Sequence, residues 1–396
     1  MTTFRLSLAL SGALAAAAVS NAADKITLTT THDLGIARPA ETIVIPWTDI
    51  ISRLPGALPD HLTVRNAEGR LLPSQYTNFK PDVREGHVDD FLFQHDFAAG
   101  EKSASFTIEK TSDPVPPFPS KTFARHVPER LDDFAWENDL VAHRMYGQAL
   151  DSPAAGGSRM ISSGIDVWSK RVNYPIVDRW YLKGHDNYHK DTGEGLDIYG
   201  VETTRGAGGT GVWDGAKLHI SHNWKTARVL ANGPVRSVFE LGYDAWDANG
   251  VKVTETKRFI VDAGRYLDEI QSTFTFAGAP EITAAVGLCK KTKARSFGAI
   301  PNEKSGWLAQ WESSDPHGHV GTGVVLQPGA FAGFAQDERN HLILVKAKSG
   351  EPVSYFAGAS WDKAGGIKSG AAWEDYLNAW AQRLAAPLKI TFKSPN

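Results

Sequence analysis

The chain has 396 residues, of which 42% are hydrophobic and 22% charged, a composition that excludes wholesale disorder, collagen and coiled coil. Its 42 basic and 45 acidic residues give a net charge of −3, which argues against nucleic acid or an anionic membrane as partner. Twelve Trp and 13 His stand beside a single cysteine, Cys289, so no internal disulfide can form.

The first 22 residues are predicted to be a secretory signal peptide. Arg5 precedes an apolar, Ala-rich run, and Ser20, Asn21 and Ala22 supply small residues at the expected cleavage position. The apolar run is shorter than the ~20 residues that a membrane span needs. We therefore expect a periplasmic or secreted protein without a membrane anchor.

Residues 24–112 are predicted to form an N-terminal β-sandwich. Strand-like segments at 26–29, 41–45 and 103–108 are separated by turn sequences such as 66–69 and 98–100. Four prolines follow within residues 111–119, so residues 113–128 are predicted to be a Pro-rich linker between two domains.

Residues 129–396 are predicted to form a large antiparallel β domain that carries the active site. Segments 235–246, 251–261 and 266–276 follow one another as long strands, with Asn249-Gly250 at the first turn. Near the end, residues 369–386 place apolar side chains at helical spacing, and Pro387 follows them. The sequence thus predicts a mainly β protein with one C-terminal helix.

Residues 132–224 are the densest region for chemistry. Six of the 13 His fall between His126 and His222, and five of the 12 Trp fall between Trp136 and Trp224. A tryptophan ring offers a flat apolar face to a sugar ring, while polar neighbours can bind its hydroxyl groups. The region is therefore predicted to form a sugar-facing cleft.

Segment 136–147 is interpreted as one strand that is polar on both faces. Alternation places Glu137, Asp139 and His143 on one face, and Asn138 and Arg144 on the other face with Trp136. The two neighbouring acids should raise one carboxyl pKa. A strand end held by a salt bridge to Arg144 or Arg171 is the alternative interpretation.

Segment 185–197 is interpreted as a loop, because its glycines argue against a helix. It contains His185, Tyr188, His189, Glu194 and Asp197, several of which can move protons near neutral pH. A metal site is not assigned, although a divalent cation stays open, and an ordinary solvated loop is the alternative.

The segment 205–211 is rich in glycine but lacks the lysine and the spacing of a phosphate-binding loop. It is interpreted as a tight or mobile loop that lines the cleft and leads to Trp213. Arg205 at its edge can pair with a substrate carboxylate. The nucleophile motif Gly-x-Ser-x-Gly is absent, which excludes that route to an esterase.

Several of these segments together resemble a family of secreted bacterial proteins classed as a domain of unknown function. They are residues 129–139 (ERLDDFAWEND), 144–147 (RMYG), 188–189 (YH), 193–197 (GEGLD) and 206–213 (GAGGTGVW). The resemblance covers nearly the whole mature chain. It implies an association with the use of pectin and related uronic-acid polysaccharides, and a β-supersandwich of the galactose-mutarotase-like kind.

The leading functional hypothesis is a polysaccharide or oligosaccharide lyase that cleaves a pectin-like, uronic-acid-containing glycan by β-elimination. In this hypothesis Arg205 or Arg144 neutralises the substrate carboxylate, His189 is the base, and Tyr188 or Tyr146 is the acid. The predicted substrate-binding residues are Trp136, Asn138, Asp139, His143, Arg144, His185, Glu194, Asp197 and Trp213.

Three alternative functions are also compatible with the sequence. A glycoside hydrolase would use Glu137 or Asp139 with Glu194 or Asp197 as a carboxylate pair. An epimerase would use His189 to move a proton, and a non-catalytic sugar-binding protein would need only the tryptophans. Oligomeric state is left open.

Overall fold

The computed structural model describes residues 24–79 and 87–393, and within these ranges the chain is mainly antiparallel β-structure. The predicted signal peptide, residues 1–22, lies outside the described residues. Among the helices of the described ranges, none has the length and apolar character needed to cross a membrane.

The N-terminal region forms two facing sheets. Its elements are β1 (Lys25–Thr31), β2 (Arg38–Pro46), α1 (Trp47–Arg53), β3 (Leu62–Asn66), β4 (Leu71–Leu72), β5 (Ser74–Thr77), β6 (Asp90–Phe97) and β7 (Ser103–Lys110). One sheet contains β1-β7-β3-β4 in that order, and the other contains β2-β6-β5. Leu28, Val64, Phe93 and Ile108 are fully buried between them.

A five-stranded sheet follows, which we call the outer sheet. Its strands are β8 (Phe123–Val127), β9 (Asp133–Glu137), β10 (Ala142–Met145), β11 (Asp166–Lys170) and β12 (Gly195–Asp197), in the order β12-β11-β10-β9-β8. The connections contain the short helices α2 (Gln148–Asp151), α3 (Val177–Lys183) and α4 (His185–Tyr188).

The rest of the chain supplies two further sheets and the long helix. The elements are β13 (Ala207–Trp213), β14 (Leu218–His219), β15 (Thr226–Ala231), β16 (Arg236–Ala248), β17 (Val251–Asp262), β18 (Leu267–Phe276), β19 (Ile282–Cys289), β20 (Ile300–Asn302), β21 (Trp307–Ser313), β22 (His319–Leu326), β23 (Phe331–Gln336), β24 (Asn340–Ala347), β25 (Pro352–Trp361), α5 (Gly370–Ala385) and β26 (Lys389–Phe392). Short 3₁₀ turns lie at Pro59–His61, Pro128–Arg130, Pro153–Ser158 and Asp362–Ala364.

An eight-stranded sheet, in the order β15-β16-β17-β18-β25-β22-β21-β20, forms the centre of the molecule. One of its faces packs on the outer sheet and on another five-stranded sheet, β14-β13-β19-β24-β23. Trp136, Phe239, Phe259 and Val286 come from all three sheets and meet in one fully buried core. Helix α5 covers the opposite face through Trp373, Leu377 and Trp380.

The structure confirms the predicted fold class, a mainly β protein of antiparallel sheets with one long C-terminal helix. The three predicted central strands are β16, β17 and β18, and Asn249 has the positive φ of 56° that its turn requires. Ser369 caps α5, because its side chain accepts a hydrogen bond from the backbone N–H of Ala372.

Two features go beyond the predicted arrangement. The whole of strand β8 lies inside the segment 113–128, which was predicted to be a linker. Strand β26 follows the C-terminal helix and pairs with β1, so the last described strand of the chain extends the N-terminal sheet.

Candidate functional site

Residues 133–145 form a β-hairpin, whereas the sequence predicted a single strand across residues 136–147. The turn is built by Asn138, whose Oδ1 accepts hydrogen bonds from the N–H groups of Leu140 and Val141. The turn changes the alternation of side chains, so the predicted faces are wrong. In the structure Trp136 lies opposite His143, and both face the central sheet.

The outer face of the outer sheet carries a buried ionic cluster centred on Arg144, which we call the Arg144 cluster. It contains Asp133, Arg144, Tyr146, Asp166, Tyr188 and Asp197. The guanidinium donates from Nε to Asp166 at 2.7 Å and from Nη2 to Asp197 at 2.8 Å. Asp133 lies 3.5 Å from Nη1. A single cation is thus shared by three buried carboxyl groups.

The excess of acids changes the protonation of the cluster. Burial, together with the neighbouring charge of Asp166, raises the pKa of Asp197 to about 8. Burial also raises the pKa of Asp133 to about 6, although Arg144 opposes the shift. The cluster therefore retains protons at pH values where free aspartate has lost them.

Two tyrosine hydroxyl groups complete the Arg144 cluster. Tyr146 donates to Asp166 at 2.7 Å, and burial beside this carboxylate raises the pKa of Tyr146. The hydroxyl of Tyr188 accepts from Nη1 of Arg144 at 3.1 Å. The ring of Tyr188 packs against Trp168 and is 2% exposed, so Tyr188 lies behind the protein surface.

The segment that carries Tyr188 is partly helical, contrary to the predicted loop. Helices α3 and α4 are separated only by Gly184, whose φ of 84° lets the chain change direction. The pair packs on the outer sheet, with Trp180 and Tyr188 buried against Trp168. His185 and His189 consequently lie at the exposed edge of the Arg144 cluster, with ring centroids 4.9 Å apart.

The hydrogen bonds of His189 define its tautomer. Its Nδ1 lies 3.0 Å from the backbone carbonyl oxygen of Asp197, and a carbonyl can only accept. Nδ1 therefore carries the proton, and Nε2 of the neutral ring has a free lone pair. The side chain is 40% exposed. His189 thus offers a base to a molecule at the surface.

The hydrogen bonds of His185 define the opposite tautomer. Its Nδ1 lies 2.7 Å from the hydroxyl of Tyr188, whose oxygen already accepts from Arg144 and from Nε of Arg130 at 3.4 Å. The tyrosine proton therefore points to Nδ1 of His185, and the neutral ring carries its own proton on Nε2. Partial burial and then the positive charge of Arg130 lower the pKa of His185.

Glu137 and Glu194 are two further residues of the predicted site, and both bind groups outside the Arg144 cluster. Glu137 is 1% exposed, binds Nζ of Lys170 at 2.7 Å, and accepts from the N–H groups of Ile176 and Val177 at the start of α3. Glu194 is held by Arg179 and Lys183, and their hydrogen bonds lower its pKa to about 2 against the effect of burial. Both carboxylates position α3.

Asn138 and Asp139 fasten the hairpin turn to the central sheet. Asn138 donates to the carbonyl groups of Asp262 and Arg265, and Asp139 accepts from the N–H of Gly264. These contacts place both residues away from the exposed edge formed by His185 and His189.

Trp136 and His143 lie on the opposite face of the outer sheet from the Arg144 cluster. The indole of Trp136 donates to Asp268 at 2.7 Å, and Nδ1 of His143 lies 3.5 Å from the same carboxyl group. Burial lowers the pKa of His143 to about 3 and raises that of Asp268 to about 7. These residues belong to the interior.

Arg205 and Trp213 lie in a different part of the fold. The glycine-rich segment interpreted as a cleft-lining loop is strand β13, which pairs with β19 inside the molecule. Arg205 precedes this strand, is 0% exposed, and donates to Ser163 at 2.8 Å. Burial prevents it from meeting a substrate carboxylate. Trp213 ends the strand and packs against Leu218.

The structure therefore brings six of the predicted residues into one place. They are Arg144, Tyr146, His185, Tyr188, His189 and Asp197. Three members of the site were not predicted, namely Arg130, Asp133 and Asp166. Arg130 and Asp133 lie in the segment that carried the family resemblance, but Asp166 is joined to Arg144 only through the pairing of β10 with β11.

Within residues 24–79 and 87–393, no group of three or more His, Cys, Asp and Glu side chains is arranged to hold a metal ion. The pair His185 and His189, which has helical spacing, is connected instead to Tyr188 and to the carbonyl of Asp197.

Comparison with known proteins places the molecule in a structural and a sequence context. Its fold is similar to that of a protein in the Glycosyl Hydrolase Family 38 from Enterococcus faecalis, with a TM-score of 0.50 and 9% sequence identity. The similarity covers 94% of this chain and 48% of that protein, so the present chain spans about half the length of that protein. At this identity the likeness concerns the fold alone.

The sequence itself is similar to "Uncharacterized protein P7" of Formosa agariphila. The two are 31% identical over 380 residues, which are 92% of this chain and 93% of that protein. Residues 30–390 match the model of a family described as Domain of unknown function (DUF4861). The expected membership in a family of unknown function is therefore confirmed: the chain belongs to the DUF4861 family.

Proposed function

We propose that this protein is a carbohydrate-active enzyme that cleaves uronic-acid-containing glycans by β-elimination. The observation that carries the proposal is the pair of exposed imidazoles, His185 and His189, held in opposite tautomers beside Arg130. One ring offers a lone pair, the other offers a proton, and the guanidinium offers a positive charge. β-Elimination from a uronate needs these three groups.

The reaction can be assigned to atoms. Nε2 of His189 takes the proton from the carbon that bears the carboxylate, and the electron pair of that bond forms the carbon–carbon double bond. On the neighbouring ring carbon, the bond to the glycosidic oxygen breaks, and this oxygen leaves with the electron pair of the bond. Nε2–H of His185 protonates the leaving oxygen. Arg130 faces the substrate carboxylate and stabilises the charge that develops on it.

Tyr188 acts behind His185 in this scheme, which revises the acid role first assigned to it. When His185 gives up its Nε2 proton, its Nδ1 can take the proton of the Tyr188 hydroxyl at 2.7 Å. The phenolate that results is stabilised by Arg144, at 3.1 Å, and by Arg130. Arg130 also replaces Arg205 as the partner of the substrate carboxylate, because Arg205 is buried.

A hydrolase that uses the predicted carboxylate pair has less support from the geometry. Such an enzyme needs two carboxyl groups that face the same substrate. Glu137 is buried against Lys170, Glu194 is held by two cations, and Asp139 binds the backbone of Gly264. Asp197 is the remaining acid of the proposed pair, and it binds Arg144.

The substrate class and the location are supported less directly. The fold that the chain shares with a protein in the Glycosyl Hydrolase Family 38 supports a carbohydrate substrate. The family resemblance supports pectin-like glycans, and the predicted signal peptide supports a periplasmic or secreted enzyme.

The proposal predicts that His189→Gln lowers the rate of elimination by at least about 100-fold, because it removes the base. His185→Gln is expected to have a similar effect because it removes the acid. The measurement is the rise in ultraviolet absorbance of the unsaturated product, with polygalacturonate and rhamnogalacturonan as substrates. The matched control is His222→Gln, since His222 is an exposed imidazole with Nδ1 bonded to Asp151.

The control is expected to keep its rate within about twofold. Equal rates for His189→Gln and His222→Gln would exclude His189 as the base. Binding of the glycans without any product, by the unmodified protein, would favour the non-catalytic sugar-binding alternative.

A further inference from the structure

A cavity lies along the chain segment that directly follows Asp197 of the Arg144 cluster. It is a cavity of about 190 Å³ between the chain that follows β12, the loop that joins β19 to β20, and strands β21 and β22. Asp197, whose carbonyl orients His189, is followed directly by Ile198, which lines this cavity. Pockets for drug-sized ligands span roughly 300–1,000 Å³, so this cavity suits a smaller molecule.

The floor of the cavity contains a poorly satisfied hydroxyl group. The oxygen of Tyr199 is buried and has no well-formed hydrogen bond within the described residues, although Thr322 and the backbone near Cys289 lie close to it. A buried hydroxyl without a partner is costly. Phe297 and Val320 supply apolar surface beside it. The floor thus combines an aromatic face with a buried hydroxyl group that makes no well-formed hydrogen bond within the described residues.

The rim of the cavity carries charged groups of both signs. Arg295 donates from Nη1 to Ser314 at 3.1 Å, which leaves the other nitrogens of the guanidinium for a ligand. Glu312 accepts the N–H of Gly298 through Oε1, which leaves Oε2 for a ligand. Arginine pairs with carboxylates through two parallel hydrogen bonds, and a carboxylate accepts hydrogen bonds from hydroxyl groups.

We infer that this cavity binds a single sugar residue that carries a carboxylate. Arg295 binds the carboxylate, Glu312 and Tyr199 bind hydroxyl groups, and the ring of Phe297 covers an apolar face of the sugar. The choice of an acidic sugar rests on the proposed function, whereas the location of the site rests on the cavity alone. The site is a binding subsite that Ile198 and Asp197 connect to His189.

The test measures the binding of D-galacturonate and D-glucuronate to the full mature chain by isothermal titration calorimetry. D-galactose and D-glucose are titrated for comparison. The uronates are expected to bind, and the neutral sugars to bind at least about tenfold more weakly. Arg295→Gln is expected to weaken uronate binding at least about tenfold, since it removes a charge-assisted contact. Arg65→Gln is the matched control, because Arg65 is an exposed arginine of the N-terminal sandwich that binds Gly69.

Tyr199→Phe provides a second variant with a separate readout. It is expected to weaken uronate binding several-fold, while the Tm of the ligand-free protein stays the same or rises, because an unsatisfied buried hydroxyl is removed. A purely structural role for this hydroxyl would instead lower the Tm.

The inference is overturned if neither uronate binds, if neutral sugars bind equally well, or if Arg295→Gln and Arg65→Gln bind alike. His189→Gln separates this inference from the proposed function, since it should abolish elimination and leave uronate binding intact. Binding without elimination in the unmodified protein contradicts only the proposed function, and elimination without binding of the monosaccharides contradicts only the subsite.

Discussion

Arg144 shows how one buried side chain determines the protonation of its neighbours. Three carboxyl groups surround this nearly buried guanidinium, and a net negative charge is costly in such a place. The cluster reduces the cost by retaining protons, which is why the pKa values of Asp133 and Asp197 are raised. His189, bound to the carbonyl of Asp197, is therefore held by a segment whose charge changes near neutral pH.

A pH-dependent stability follows for Asp197. Its pKa is higher in the folded chain, at about 8, than the ordinary value of 3.8. The folded state therefore binds more protons between about pH 4 and pH 8, and stability falls as the pH rises through this range. Asp197→Asn keeps the oxygen that accepts from Arg144 but cannot titrate. We expect the Tm of the parent protein to fall with pH by a few degrees more than the Tm of this variant.

The comparison is made by thermal unfolding at several pH values in buffers of equal ionic strength. Asp247→Asn serves as a control, because Asp247 is an exposed residue near the end of β16 that accepts a hydrogen bond from the N–H of Gly250 in the following turn. Parallel Tm curves for the parent and Asp197→Asn would show that Asp197 does not retain its proton.

The hairpin of β9 and β10 is the element on which the candidate site depends. Its turn contains neither glycine nor proline, the strongest turn signals, and only the pair Asn138-Asp139 marks it in the sequence. Asn138 replaces those residues by accepting from two N–H groups of the turn and donating to two carbonyl groups of the central sheet. The same side chain thus forms the turn and fixes the hairpin, with Arg144, to the rest of the molecule.

Asn138→Ala is expected to lower the free energy of unfolding by about 3 kcal/mol, because it leaves buried carbonyl and N–H groups without partners. Chemical denaturation measures the change. Asn66→Ala removes a comparable turn contact, to the N–H of Arg70, at an exposed position, and should cost about 1 kcal/mol. A cost of the same size for both variants would contradict the role given to Asn138.

The elements differ in how well the sequence predicts them. Helix α5 has 16 residues, a clear apolar stripe and an N-cap serine, and each signal agrees with the others. Helices α3 and α4 have seven and four residues and are separated by Gly184, so their periodicity is too short to read. Both are stabilised by packing on Trp168, a contact that no local pattern contains.

At the scale of the whole molecule, the two ends of the described chain are joined. Strand β26 adds to the N-terminal sheet beside β1, and Leu388, Ile390 and Phe392 pack against the core of the N-terminal sandwich. The N-terminal sandwich and the central sheets have separate cores, and β26 connects the segment after α5 to the sandwich.

Truncation after Pro387 is therefore expected to destabilise the N-terminal sandwich by about 3 kcal/mol, because it removes three half-buried apolar side chains and a strand pairing. Scanning calorimetry and limited proteolysis measure the effect. Truncation after Lys393 keeps β26 and is the matched control. Equal stability of the two truncated chains would show that β26 contributes nothing.

The fold could be predicted further than the site. Long alternating strands, turns and one amphipathic helix are local patterns, and they identified the β architecture. The site depends on which strands pair with each other, and local sequence patterns do not show this pairing. Arg205 and Arg144 looked equivalent as carboxylate partners, but β13 buries the first inside the sheets while β10 places the second in the Arg144 cluster. The sequence identified His189 because a histidine side chain can transfer protons near neutral pH, a property that does not depend on which strands pair.

We propose that the chain cleaves uronic-acid glycans by elimination at the edge formed by His185 and His189. The most direct test is the mass of the fragments released from a uronate oligosaccharide by the unmodified protein. Elimination gives one fragment with an unsaturated non-reducing end, which is lighter than the corresponding hydrolysis product by the mass of one water. This fragment is expected with the unmodified protein and not with His189→Gln. Elimination would be contradicted if both fragments carried the full mass of the hydrolysis products, and also by the lack of any cleavage across a panel of uronate glycans.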